Sequence, residues 1–268
     1  MTRRREERRM RFSANLGFLW ANRPLPDAVH AAKAAGFSAV ECHWPYDTPA
    51  ATLRSALTET GLPFLSLNTR RGTLARGEFG LAAVPFRQTE AQESIQEAID
   101  YADKVGARAV HVMAGKARGS VARKTFLDNL DFATAMAEPL GITILIEPIN
   151  RHDAPGYFLE TTGQALQVID EVAAPNLRLM FDCYHIGRTE GDPTTRFAAL
   201  QSVIGHVQFA SVPDRGPPDR GDVDYATVFA AIAALGWNTP LGAEYNPVGP
   251  TGDSLGWMTP YLQSVSPD

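Results

Sequence analysis

Short apolar runs alternate with longer amphipathic ones along the chain from Met10 onward. Runs rich in β-branched and aromatic residues fall at 11–19, 39–45, 64–70, 108–115, 142–150, 177–185, 204–211 and 240–247. Their length and composition predict strands covered on both faces. Between them, segments such as 25–35, 89–105, 121–140, 162–172, 194–204 and 225–235 carry apolar positions at helical spacing. Gly36, Gly61, Gly106, Gly141, Gly205 and Gly236 each stand just ahead of a strand, where glycine accepts the left-handed conformation that closes a helix. Strand and helix in strict alternation over one domain, residues 10–268, predict a (β/α)8 TIM barrel. A doubly wound open sheet is the alternative, but no glycine-rich phosphate fingerprint follows the first strand.

The stretch 142–150, Ile-Thr-Ile-Leu-Ile-Glu-Pro-Ile-Asn, shows where chemistry enters this pattern. Its apolar run ends in Glu147, and Pro148 cannot donate to a sheet ladder, so the strand should stop there. A carboxylate at the tip of a buried strand needs a cation or hydrogen bonds to compensate it. Three later strands end the same way, in Asp182, Gln208 and Glu244. In a small barrel such tips meet around the axis, and three carboxylates there repel one another unless a divalent cation sits among them. Three carboxylates and an amide form an all-oxygen ligand set, which favours Mg²⁺ or Mn²⁺ over zinc.

Other polar residues share the faces of these strands. His206 has the parity of Gln208, and Glu41 that of His43. His206 and His111 are expected to be satisfied core histidines. His185, three residues past Asp182, is placed to hydrogen-bond a substrate oxygen or a carboxylate. Arg215, within Pro-Asp-Arg-Gly, is the candidate for holding an anionic substrate in bidentate fashion. The connections 70–86 and 212–224 are longer than a barrel needs and leave its C-terminal face, so both are candidate substrate lids.

Composition narrows the reading. A net charge of −5 over 268 residues argues against nucleic acid as a partner, and no apolar run is long enough to span a membrane. Cys42 and Cys183 lie in apolar, strand-like segments, as expected of buried reduced thiols in a cytoplasmic protein. Residues 2–9, Thr-Arg-Arg-Arg-Glu-Glu-Arg-Arg, lack the apolar core of a secretory signal; residues 1–9 are expected to be a disordered extension, and Met10 is a candidate true start. Trp257, Tyr261 and nearby apolar residues either pack under the barrel or form the contact of a homo-oligomer.

The stretches RFSANL, GEFGLAAVP, IEPIN, DCYHIGR, GHVQFA, PDRG and GAEYNP, in that order between Met10 and Tyr261, resemble the hydroxypyruvate isomerase family of the xylose isomerase-like TIM barrels. The resemblance implies metal ligands at Glu147, Asp182, Gln208 and Glu244, with Glu147 and Glu244 also the proton-transferring catalytic pair. It implies an aldose–ketose isomerase acting through an enediolate on a small hydroxy-oxo acid, hydroxypyruvate (giving tartronate semialdehyde) or a 2-oxo-tetronate. Ketose 3-epimerases of the same superfamily are the alternative, although they commonly place histidine where this chain has Gln208. Some relatives carry Asp at the position of Ser211 and Gly at that of Phe86. A DNA-repair endonuclease on the same barrel would want a histidine-rich zinc cluster and a basic groove. A barrel that only binds a sugar acid would have no use for the complete carboxylate set.

Overall fold

Parallel pairing joins the eight strands in the order β2–β1–β8–β7–β6–β5–β4–β3 in the computed structural model, which describes residues 10–262. The expectation for residues 1–9 lies outside the described residues. The strands are β1 (Phe12–Asn15), β2 (Ala39–Glu41), β3 (Ser66–Asn68), β4 (Ala109–His111), β5 (Thr143–Ile146), β6 (Leu177–Asp182), β7 (Ile204–Phe209) and β8 (Leu241–Ala243). Val40 bridges Phe64, and its carbonyl accepts the Leu65 N–H at 2.8 Å, so β2 meets β3 and the ring closes. The predicted TIM barrel is the observed fold.

Helices α1 (Leu25–Ala34), α2 (Ala50–Thr60), α3 (Gln88–Val105), α4 (Gly119–Ala137), α5 (Thr162–Val172), α6 (Cys183–Thr189), α7 (Pro193–Leu200) and α8 (Tyr225–Ala234) connect the strands. None of the described helices is long and apolar enough to cross a membrane. α2 buries Leu53, Ala56, Leu57 and Thr60 at helical spacing, but two small or polar members make that stripe faint in sequence. The run at 177–185 divides after Asp182, whose side chain accepts the Tyr184 N–H at 2.8 Å and caps α6. An N-cap aspartate satisfies a first-turn N–H that has no preceding helical carbonyl to bond, and this ends the strand three residues early.

Five of the six glycines expected to close helices have positive φ, between 67° and 92°. Gly205 does not, because it lies inside β7. A Cβ there would stand 2.6 Å from the Cβ of Arg178 and 2.9 Å from Leu145, so this glycine answers to packing between strands rather than to a cap.

Strand alternation sorts the side chains. Outward positions such as Val40, Val110, Ile144, Phe181, Val207 and Phe209 are buried in the main apolar core. Trp257 joins that layer, edge-on to Phe12 at 4.8 Å and to Phe209 at 5.3 Å, so it packs on the barrel wall. Cys42 and Cys183 are buried and unpaired, and burial pushes the Cys42 thiol up to about 12. The lumen is two-sided. Ala109, Leu145 and Met180 form a small apolar cluster, whereas Ser13, Glu41, His206 and Gln208 form a buried polar layer. Gly242 makes that layer possible, since a Cβ would come 2.6 Å from Glu41 Oε1 and 2.8 Å from Gln208 Cγ.

Phe86 is 98% exposed at φ 64°, a conformation that costs an L-residue about 1–2 kcal/mol. Replacement by glycine relieves this and gives back about 0.4–1 kcal/mol through greater freedom of the unfolded chain. Phe86→Gly is therefore expected to raise Tm by about 1–3 °C, measured by scanning calorimetry; a lower Tm would contradict the strain.

Candidate active site

Above the polar layer, the C-terminal ends of the strands open into a cavity of about 860 Å³, walled by Glu147, His185, Arg215 and Glu244 and by aromatic side chains including Phe18, Trp44 and Tyr184. This is the face on which a TIM barrel presents its chemistry.

Glu147 follows β5 directly, and Pro148 prevents the ladder from continuing past it. Its Oε1 is buried without a hydrogen-bond partner. Asp182 closes β6; one oxygen caps α6, and the other, Oδ2, is buried and unpartnered. Gln208 on β7 donates from Nε2 to Glu41 Oε1 at 2.7 Å and to Glu244 Oε1 at 3.3 Å. With two carboxylates on that side the amide nitrogen must face them, which leaves the buried Gln208 Oε1 without a donor. Acceptor oxygens on three of the four expected ligands are thus buried without donors, an arrangement that calls for a cation or for protons. One ligand atom from each of Glu147, Asp182 and His185 lies within 4.8 Å of the others. The orphaned oxygens of Glu147, Asp182 and Gln208 fit a hard divalent ion.

Glu244 is differently placed. Its Oε1 receives Asn15 Nδ2 at 2.9 Å and lies 2.6 Å from His43 Nε2, while its Oε2 accepts Arg215 Nη2 at 2.6 Å. Burial alone would raise its pKa, but the Arg215 charge and the His43 hydrogen bond hold it well below the usual range. Burial, reinforced by the charges of Glu244 and Asp182, raises Glu147 well above its ordinary value. Burial and then the Glu244 charge push Asp182 up to about 7. In the absence of a cation, the two glutamates of this cavity are thus shifted in opposite directions.

Hydrogen bonds fix the tautomer of His185. Asn150 Oδ1 accepts the backbone N–H groups of His152 and Asp153, both at 3.0 Å, which orients its amide. Asn150 then directs Nδ2, at 2.7 Å, and its own N–H, at 3.3 Å, to His185 Nδ1. Nδ1 accepts, so in neutral imidazole the proton resides on Nε2. That N–H faces Asp182 Oδ2 at 3.6 Å and Glu147 Oε1 at 3.7 Å. Burial, with the Arg215 charge, lowers the His185 pKa well below the ordinary value, so the ring is neutral.

Arg215 stands in the wall as expected of a substrate-binding residue, but Nη2 is committed to Glu244 and also lies 3.9 Å from Asp182, with Nη1 3.7 Å from Asp153. Its side chain passes between the rings of Phe18 and Tyr184, 5.0 Å from each. The backbone there is left-handed, φ 55°, and Ser211 holds it: the Ser211 carbonyl accepts the Arg215 N–H at 2.9 Å, and Ser211 Oγ accepts that of Gly216 at 2.9 Å and donates to Asp214. The serine thus braces the loop that presents the arginine.

His206 is the satisfied core histidine expected, 2.6 Å from Glu41 Oε2. His111 is not, because neither ring nitrogen has a hydrogen-bond partner and the ring borders the cavity, 3.6 Å from Glu147 Oε2. Burial lowers its pKa to about 3. Asn15, His43 and Asn150 escaped sequence reasoning as site residues. Period-two parity with Ser13 and Glu41 is the signal that places Asn15 and His43 in the lumen; nothing comparable marks Asn150.

A family model described as xylose isomerase-like TIM barrel matches residues 29–261. The 2-oxo-tetronate isomerase of Cupriavidus necator is 41% identical over 94% of this chain and 98% of its own. The hydroxypyruvate isomerase of Escherichia coli K12 is 36% identical over 94% and 99%. A crystal structure from Brucella melitensis, titled AP endonuclease, family 2, superposes with a TM-score of 0.90 at 34% identity over 94% of this chain and 99% of that one.

The raised pKa values of Glu147 and Asp182 have a thermodynamic consequence. Without a cation the native state binds more protons than the unfolded chain between the ordinary carboxylate range and about pH 7, so these groups make stability fall as pH rises through that window. Mn²⁺ or Mg²⁺ is expected to raise the Tm of chelator-treated protein more at pH 8 than at pH 5. Asp182→Asn should flatten that difference. Equal Tm with and without cation at pH 8 would show that the orphaned oxygens do not bind it.

Proposed function

The chain belongs to the xylose isomerase-like TIM barrel family and is an isomerase, and from that premise we propose that it interconverts the aldose and ketose forms of a small hydroxy-oxo acid. Hydroxypyruvate with tartronate semialdehyde, or a 2-oxo-tetronate with its isomer, are the substrates that the names of its relatives favour. The observation that carries the reading is the set of donorless buried oxygens of Glu147, Asp182 and Gln208 next to a fully compensated Glu244. A divalent cation held by Glu147, Asp182, Gln208 and Glu244 would supply positive charge opposite the substrate oxygens that become anionic.

For hydroxypyruvate the reaction moves hydrogen between C3 and C2. One glutamate of the pair Glu147 and Glu244 takes the C3 proton, giving an enediolate, and the other delivers a proton to C2; the O3 hydroxyl proton passes to O2. In the reverse direction the roles exchange. The Nε2–H of His185, fixed by Asn150, donates to a substrate oxygen as charge develops on it. Arg215 and His43 keep Glu244 ionised.

A panel of hydroxypyruvate, 2-oxo-tetronates and free ketoses, run on metal-loaded protein, tests the substrate class. Turnover of neutral ketoses alone would favour 3-epimerisation. In the active pairing, Glu147→Gln and Glu244→Gln, each at saturating metal, are expected to lower kcat by about 10²–10⁴-fold. In D₂O, solvent deuterium should appear at the carbon that receives the proton. Product free of solvent deuterium after many reversible turnovers would replace proton transfer by a hydride shift and leave the glutamates as ligands only.

A further inference from the structure

Arg70 and Arg71 are adjacent in sequence but have opposite fates. Arg70 faces outward, paired with Glu97 at 2.6 and 2.9 Å. Arg71 turns into the cavity wall, its guanidinium 4.1 Å from the centre of the Trp44 ring. Among the described residues Arg71 has no carboxylate partner. The other arginine of the cavity, Arg215, is committed to Glu244 and flanked by Asp182 and Asp153.

The position is built rather than incidental. Trp44 is anchored by its indole N–H, which donates to the Thr69 carbonyl at 3.1 Å. The Arg71 carbonyl accepts the Gly80 N–H at 2.9 Å. Gly80 bridges Ala114 beyond β4, and a Cβ on Gly80 would stand 2.5 Å from the Met113 carbonyl oxygen. The loop 70–86 is therefore pinned to the barrel rim by backbone-to-backbone contact, rather than hanging free as a lid. In the barrel order, β2 and β3, which lead into Trp44 and Arg71, lie across the lumen from β6 and β7, which carry Asp182 and Gln208. One side of the mouth is thus acidic and suited to a cation, and the other carries a preoriented guanidinium stacked on an aromatic face. A substrate with a carboxylate at one end and vicinal oxygens at the other matches this polarity.

We propose that Arg71, stacked on Trp44, binds the carboxylate of the substrate and makes the enzyme select acids over neutral ketoses. This inference rests on the isomerase reading above and adds the residue that sets its substrate class. Arg71 forms a fork of N–H donors to the carboxylate, and Trp44 holds the guanidinium plane. Arg215 keeps Glu244 charged and does not have to release it for substrate to bind.

The test compares wild type with Arg71→Met and Arg71→Lys, all metal-loaded. KM for hydroxypyruvate or a 2-oxo-tetronate is expected to rise about 10–100-fold in Arg71→Met, the worth of a charge-assisted hydrogen-bonded contact, with an intermediate rise in Arg71→Lys. KM for dihydroxyacetone, which lacks the carboxylate, should change little. Calorimetric binding of tartronate, an unreactive hydroxy-dicarboxylate, should weaken in parallel, while Tm and its response to Mn²⁺ stay as in wild type. Unchanged KM for acids, or an equal rise for acids and dihydroxyacetone, would overturn the assignment. If wild type isomerises no acid, the isomerase reading fails separately, and tartronate binding by wild type and Arg71→Met alone decides the role of Arg71: equal binding overturns it.

Discussion

Four carboxylates, Glu41, Glu147, Asp182 and Glu244, are buried in the lumen of one small barrel, and how each is compensated governs the rest of the molecule. Removing a carboxylate from water costs several kcal/mol, so each needs donors or opposite charge. Glu41 receives Ser13 from the neighbouring strand β1, and His206 and Gln208 from β7 across the lumen. Glu244 receives Asn15, His43 and Arg215. Glu147 and Asp182 each keep one oxygen with nothing to accept from. The compensated carboxylates fix the strands that carry them, and the uncompensated ones leave an electrostatic demand that only opposite charge, donors or protons can meet.

Much of this was legible in the sequence, and the limits have physical reasons. A carboxylate or amide at the end of an apolar run is visible from period and composition alone, so Glu147, Asp182, Gln208 and Glu244 could be placed at one end of the barrel. Parity placed Glu41 and His43 on one face. Contacts across the lumen were not legible. His43 meets Glu244 from 201 positions away, and no local pattern encodes that. Arg215 could be recognised as a site residue, but its commitment to Glu244 depends on the left-handed turn that Ser211 braces. Gly205 resembles a helix cap in sequence because the strand begins only one residue before it. His111 and His206 look alike as strand histidines. They differ because Glu41 lies beside one, while the other has Glu147 only at 3.6 Å.

Preorganisation runs through the cavity walls. Asn150 sets the His185 tautomer, Ser211 the Arg215 turn, and the contact of Gly80 with the rim beyond β4 sets the loop that carries Arg71. Each of these residues works through its hold on another, so the reacting region is defined before substrate arrives. Such definition limits the reorganisation that would otherwise add to the barrier.

Gln208 makes the history of this site contingent. One amide nitrogen serves both Glu41, deep in the lumen, and Glu244, at the mouth, and the glycine at 242 leaves the space that the side chains of Glu41 and Gln208 fill. A neutral imidazole at 208 carries a single N–H in place of the two of the amide, so exchanging one for the other is coupled to the other donors around Glu41 and Glu244. Residues in one such network do not contribute additively. The order in which substitutions can accumulate is therefore restricted, and divergence in chemistry at the mouth of this barrel is epistatic with the packing beneath it.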